Sequence, residues 1–189
     1  VTFAGPSLSF VAGSGTPTLN GRKTTALISV GAASNVIVDG LEIDFGQTAA
    51  TGGGIRNDGE LTVVNSTFIG NSAANGGAIG NSANATLNVR DSTFSHNTAT
   101  GVGGGAIISF GAATIDRSAL LNNEAPVNGG SLNVQPGGET TVSNSTIAGS
   151  TSGGLGGAMS NLGTVNVQSS TIANNSASSG SAIASGNTN

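Results

Sequence analysis

The chain has 189 residues, of which only five are basic and nine acidic, giving a net charge of −4, with one histidine, no cysteine and 32 glycines. That balance offers none of the cationic surface that nucleic acid or anionic lipid requires, and the lack of cysteine removes disulfides and thiolate metal sites. No run of 18 apolar residues exists and no basic-then-apolar leader precedes Val1, so neither a membrane span nor a retained signal peptide is expected.

Three apolar phrases open the chain: Val1-Thr2-Phe3, Leu8-Ser9-Phe10-Val11 and Ala26-Leu27-Ile28-Ser29-Val30. They read as strands of one or two divergent opening coils over residues 1–35, since terminal repeats of a solenoid are commonly atypical. From Val36 the pattern becomes regular. Val36 and Val38 alternate, Asp39-Gly40 follows, and Leu41, Ile43 and Phe45 alternate again as inward positions. Successive side chains of a strand point to opposite faces. Val38 and Ile43 lie an odd number of residues apart, so both can face inward only across a bend.

The same arrangement returns along the chain. Val38, Val63, Val89, Ile115, Val142 and Val167 recur at intervals of 25 to 27 residues, and five residues after each stand Ile43, Phe68, Phe94, Leu120, Ile147 and Ile172. Between them lie Asp39-Gly40, Val64-Asn65, Arg90-Asp91, Asp116-Arg117, Ser143-Asn144 and Gln168-Ser169; the second member is Gly, Asn or Asp in four of the six. Those residue types best tolerate positive φ, which predicts a two-residue corner with a left-handed residue second. A third apolar series, Ile55, Ile79, Ile107, Leu132, Met159 and Ile183, follows Gly-Gly pairs such as Gly76-Gly77 and predicts a third strand carrying the Gly-Gly-Ala-Ile phrase, flanked by loops of variable length. Units of this size cannot bury their apolar faces alone and must stack. The fold predicted is all-β: a right-handed single-stranded parallel β-helix of about seven coils of about 26 residues, with three strands per coil, one solenoid over 1–189 and regular from residue 36. Its hand follows from the preference of parallel crossovers.

Stacking turns each series into a column. Asn71, Asn97, Asn123 and Asn175 should form an asparagine ladder, interrupted by Ser150, whose amides bond each other and the turn backbone. At the corner, Arg90 should lie beneath Asp116 and Asp91 beneath Arg117. Outward threonines, Thr67, Thr93, Thr146 and Thr171 on one strand and Thr62, Thr114 and Thr141 on another, raise an ice-binding reading. Glu42 and Ala119 break the first column, Asn88 and Asn166 the second, and threonine is an ordinary β-surface residue.

The alternation of Gly-Gly-Ala-Ile with Phe-x-x-Asn, closest in Phe68-Ile69-Gly70-Asn71 and Phe94-Ser95-His96-Asn97, resembles the passenger domains of chlamydial polymorphic outer-membrane proteins over residues 52–185. It is similar, too, to the wider group of bacterial exported β-helix repeat proteins. That resemblance implies a surface-exposed or extracellular adhesive or structural passenger, with a host or cell-surface receptor or a glycan as partner. No translocator barrel pattern accompanies it. The opening segment, with Leu19-Asn20-Gly21 and Val36-Ile37-Val38-Asp39-Gly40-Leu41, resembles the pectate-lyase-like superfamily in general.

Members of that superfamily often cleave acidic polysaccharides, so a lyase or hydrolase is the competing reading. Its candidates are Arg22, Lys23, Asp39, Glu42, Asp44, Arg56, Asp58 and Glu60, with Asp39 and Asp44 placed to flank a cleft. A solvated end of mixed charge accounts for them as well. The superfamily's Gly-His-Gly and Arg-x-Lys phrases are absent, and no Trp or Tyr supplies a sugar platform. His96 is the only imidazole and reads as a corner residue, and no calcium nonapeptide pattern occurs. The sequence therefore assigns no catalytic residue, cofactor or metal site. Neither end shows a polar or helical cap, which invites end-to-end stacking of copies or further coils.

Overall fold

A computed structural model describes residues 2–23 and 25–186. Among these there is no helix, and every paired strand is parallel to its neighbour one coil away. The chain winds as a β-solenoid of about seven coils, with four sheets running along its length. Sheet 1 contains eight strands, from Thr2–Phe3 and Ile28–Val30 through Ile79–Asn81 to Ile183–Ser185. Sheet 2 contains seven, from Ser7–Val11 and Asn35–Asp39 to Thr164–Gln168, and sheet 3 seven, from Thr18–Asn20 and Glu42–Asp44 to Thr171–Ala173. Sheet 4 contains six, from Gln47–Thr51 and Ser72–Asn75 to Ser176–Ser179.

Each coil after the first therefore has four strands where three were expected. The unforeseen one points only small side chains inward, Ala73, Ala99 and Ala125, then Ser152, all buried. Without an aliphatic residue it lacks the contrast between faces that marks a strand in sequence. The Gly-Gly pair also lies outside the third strand, which begins at the isoleucine. Gly76 turns the chain at φ +59°. A Cβ on Gly77 would sit 2.3 Å from the Gly105 carbonyl oxygen of the next coil, so only glycine allows the coils to approach there.

The three aliphatic columns pack as expected. Val38, Val63, Val89, Ile115, Val142 and Val167 pair in unbroken register, as do Ile43, Phe68, Phe94, Leu120, Ile147 and Ile172. All are buried except Val167 and Ile172 in the last coil, which are partly covered. Phe68 and Phe94 stack with centroids 4.6 Å apart. Each such side chain removed from water contributes about 1.5–3 kcal/mol. The corner between sheets 2 and 3 is left-handed at its second residue in each of the six coils from residue 36, at Gly40, Asn65, Asp91, Arg117, Asn144 and Ser169, with φ between 45° and 74°. Residues 2–35 are divergent in spacing, but their strands join the same columns, Leu8 against Val36 and Phe10 against Val38.

Phe45 departs from the expectation. The alternation places it inward beside Leu41 and Ile43, yet its backbone is left-handed at φ +50° and the residue is 38% exposed. The strand ends at Asp44 and the chain turns at Phe45, so the alternation does not continue to it.

Candidate functional site

Polar side chains fill three of the four corners, and one such column was legible beforehand. At the corner between sheets 3 and 4, Asn71 donates from its backbone N and Nδ2 to Asn97 Oδ1, both at 3.0 Å, and from Nδ2 to the Ile43 carbonyl at 2.8 Å. Asn97 repeats the pattern on Asn123 and on the Phe68 carbonyl. Ser150 interrupts the column, and Ser131 enters to compensate, accepting from Asn123 Nδ2 at 3.1 Å and bonding the Ser150 hydroxyl at 2.7 Å. Beyond it, the Ser150 backbone N donates to Asn175 Oδ1 at 2.9 Å.

Two further ladders escaped the sequence reading. Asn57 donates to Asn81 at 2.8 Å and Asn81 to Ser109 at 3.0 Å, while the same amides reach the Thr86 and Ala112 carbonyls. Their signal is an Asn two residues past the isoleucine in Ile55-Arg56-Asn57 and Ile79-Gly80-Asn81. Between sheets 2 and 3, Ser66, Ser92, Ser118, Ser145 and Ser170 each donate to a carbonyl two residues back and accept a backbone N–H from the preceding coil. These groups satisfy buried backbone and are not free for chemistry.

The eight charged candidates do not converge. Arg56 and Asp58 pair at 3.1 Å outside sheet 1. Asp39 accepts from Asn65 at 3.0 Å at the end of sheet 2, and Glu60 from Asn35 at 3.1 Å at its start. Glu42 and Asp44 share the outer face of sheet 3, bonded by Thr18 and Asn20. Asp39 and Asp44 thus end different sheets instead of flanking a cleft. The hollow against sheet 1, lined by Thr51, Arg56, Asn81 and Phe110, contains no carboxylate. His96 is exposed at a corner with φ +54°. The threonine columns are in register with the expected interruptions, Thr67 facing Glu42 and Thr93 facing Ala119.

On the outside of the corner between sheets 2 and 3, Arg90 faces Asp116 in register but pairs with Asp91, while Arg117 bonds both Asp91 and Asp116. The Arg117 bond holds the Asp91 carboxyl below its usual range, and bonds from Asn144 and Ser143 do the same for Asp116. Asp44 behaves oppositely. Burial, reinforced by Glu42, raises its carboxyl against the Asn20 bond, and its Oδ1 has no partner. A carboxyl raised in the folded state contributes stability below its unfolded pKa of about 3.9 and loses it as pH rises through the folded value. Asp44→Asn keeps the bond from Asn20 and should melt higher than the parent at pH 7, with the gap closing toward pH 3. A lower melting temperature at pH 7 would contradict this account.

One cluster gathers the residues that the ladders do not use. Phe45, Lys23 and Arg22 all adopt positive φ, at 50°, 59° and 48°, a conformation costing such residues about 1–3 kcal/mol each. The Lys23 ammonium lies 5.6 Å from the Phe45 ring centroid. Lys23 also lines a trough of about 620 Å³ along sheet 4, with Thr25, Gln47, Ser72 and Thr100, and an adjoining hollow of about 290 Å³ with Gly46, Gly70 and Thr98.

Among the described residues no three His, Cys, Asp or Glu side chains come together as a metal site, and no helix is long and apolar enough to cross a membrane. Compared with protein-family models, curated proteins and solved structures, the chain gives no match.

Proposed function

We propose that this chain is a non-enzymatic extracellular or cell-surface rod with a structural or adhesive role, of the kind implied by its resemblance to chlamydial polymorphic outer-membrane passengers. The dispersal of its carboxylates is the observation that carries this reading. General acid–base work on a polysaccharide needs two such groups across one bond, whereas here the carboxylates are divided among sheets 1, 2 and 3, and the two that share a face, Glu42 and Asp44, are held by Thr18 and Asn20 beside each other on one strand. Buried Asn and Ser serve the backbone, and the outer faces consist mainly of Ser, Thr, Asn and Gly.

End-to-end association of copies into a filament belongs to the same proposal. Phe3, Leu8, Phe10 and Leu19 are only partly covered, and an apolar hollow of about 210 Å³ opens beside Phe10, Leu19 and Ile28. At the opposite end Val165, Val167 and Ile172 are partly covered in the matching columns, and Ile183 is 41% exposed. A further coil, from a longer chain or a second copy, would cover either end.

The test pairs imaging with a product assay. Electron micrographs of the purified chain should show rods associating end to end, and beads coated with it should adhere to polysaccharide or cell surfaces. Pectate and alginate should come through incubation at unchanged length. Release of shortened oligosaccharides would establish the enzyme reading in its place, and a strictly monomeric species at high concentration would remove the filament.

A further inference from the structure

We infer that Asn84 is an acceptor for N-linked sugar, within the sequence Asn84-Ala85-Thr86; this rests on the extracellular reading and adds a covalent modification to it. An Asn two residues before a Ser or Thr, with any residue but proline between, is what N-glycosyltransferases read on exported chains. That spacing occurs at Asn65, Asn84, Asn144 and Asn174. It arises readily in a chain rich in Asn, Ser and Thr, and the coil itself accounts for three of the four. Asn65, Asn144 and Asn174 occupy left-handed corners at φ +50°, +50° and +56°, which asparagine fills readily. Asn65 and Asn144 also donate their amides to Asp39 and Asp116 of the coil before, and the middle residues Ser66, Ser145 and Asn175 belong to the buried ladders.

Asn84 serves none of these purposes. It is exposed, lies outside the left-handed region, and no hydrogen bond holds its amide among the described residues. It is the third residue of the turn Ser82–Ala85, closed by the Ala85 N–H on the Ser82 carbonyl at 3.0 Å. The same turn, closed from Ser34 to Gly31 and from Gly138 to Gln135, carries Ala33 and Gly137 at that place, so the turn does not require an amide. Thr86 follows, exposed, as the first residue of the strand Thr86–Arg90. Asn84 and Thr86 line one open hollow of about 310 Å³ with Ala33, Asn35 and Glu60. The folded chain therefore offers the acceptor amide and the hydroxyl two residues on to the same side, with room beside them for a first sugar. In the transfer, Asn84 Nδ2 attacks the anomeric carbon of a diphosphate-activated sugar. The C–N bond forms, the C–O bond to phosphate breaks with its electron pair leaving on the diphosphate, and one amide proton passes to the enzyme's base. Sugar projecting from this turn leaves the ladders and both ends of the solenoid uncovered.

The test is glycopeptide mass spectrometry of the chain isolated from its source cells, paired with protease treatment of those cells intact. The peptide containing Asn84 should carry a hexose or N-acetylhexosamine, at higher occupancy than the peptides containing Asn65 and Asn144. Asn84→Gln and Thr86→Val, expressed in the same cells, should each abolish the modification at that peptide while leaving the melting temperature of the sugar-free chain unchanged, since both positions are exposed. Bare Asn84 on chains that the protease removes from intact cells overturns the acceptor and leaves the extracellular reading standing. Sugar on Asn84 that persists in Thr86→Val overturns recognition through the hydroxyl. Equal occupancy at Asn65 and Asn144 overturns selection of the acceptor by the fold. Bare Asn84 on chains that the protease cannot reach overturns the extracellular reading, and the acceptor with it.

Discussion

Asn97→Leu should lower the unfolding free energy by about 4 kcal/mol, a large share of the 5–15 kcal/mol typical of folded domains. Leucine has the same branching with bulkier methyl ends, so no cavity opens and the loss comes from polar groups, with some overpacking added. Asn97 Oδ1 accepts from the Asn71 backbone N and Nδ2, and Asn97 Nδ2 donates to the Phe68 carbonyl. Without the amide the Asn71 N–H is buried with no partner, at about 1–3 kcal/mol, and the Asn71 amide and the Phe68 carbonyl each lose one bond, at about 0.5–1.5 kcal/mol each. Urea unfolding should show a lower midpoint with an unchanged slope. The chain contains its own control at Ser150, where Ser131 replaces the alanine found at Ala78, Ala106 and Ala158 and bonds both Asn123 and Ser150. The matching positions two ladder segments earlier are Asn71, Ala78 and Asn97. Ala78→Ser should therefore recover about 1–2 kcal/mol of the loss caused by Asn97→Ser, a coupling typical of residues in one hydrogen-bond network. Strict additivity of the two changes would show that Ser131 is not compensating for Ser150.

That local compensation also explains what could be read in the sequence and what could not. The columns through Val89, Phe94 and Ile107 were legible because a large aliphatic or aromatic residue returns once per coil, and burial on this scale is visible as periodicity. The asparagine ladder was legible through its fixed distance from the phenylalanine in Phe68-Ile69-Gly70-Asn71 and Phe94-Ser95-His96-Asn97. Sheet 4 was not, because Ala73, Ala99 and Ala125 fill the narrow space at that corner and alanine marks no face. Asn57 and Asn81 were hidden in a phrase already assigned to core packing. Of the left-handed cluster, Lys23 reads in the sequence only as a charge and Phe45 as core. Both depend on left-handed backbone, which residue types that rarely adopt it cannot announce. The charged candidates were visible as a cluster in sequence, but the coil sends Asp39, Asp44 and Arg56 to three different sheets.

Val89→Asp tests the register itself, in contrast with its neighbour. Val89 is 1% exposed, between Val63 and Ile115 in the sheet 2 column, with aliphatic side chains on both sides of it in register. An ionised carboxylate cannot be accommodated in that column, so the side chain must stay protonated or the coil must open. The expected cost at pH 7 is above about 4 kcal/mol, the range reserved for buried unpaired charge. Asn88→Asp, one residue away and facing outward between Thr62 and Thr114, should stay within about 0.5 kcal/mol of the parent. Acidity should separate the two variants further. Burial raises the carboxyl at position 89 in the folded state above its unfolded value of about 3.9, so the folded state holds its proton more tightly and the stability of Val89→Asp should fall as pH rises from 4 toward 7. Lowering the pH should bring it back toward the parent measured at the same pH, whereas Asn88→Asp should show no such recovery. If the two aspartates cost the same at pH 7, Val89 does not point into the column and the assignment of every inward residue on that strand shifts by one, because a single-residue slip exchanges the two faces of a strand.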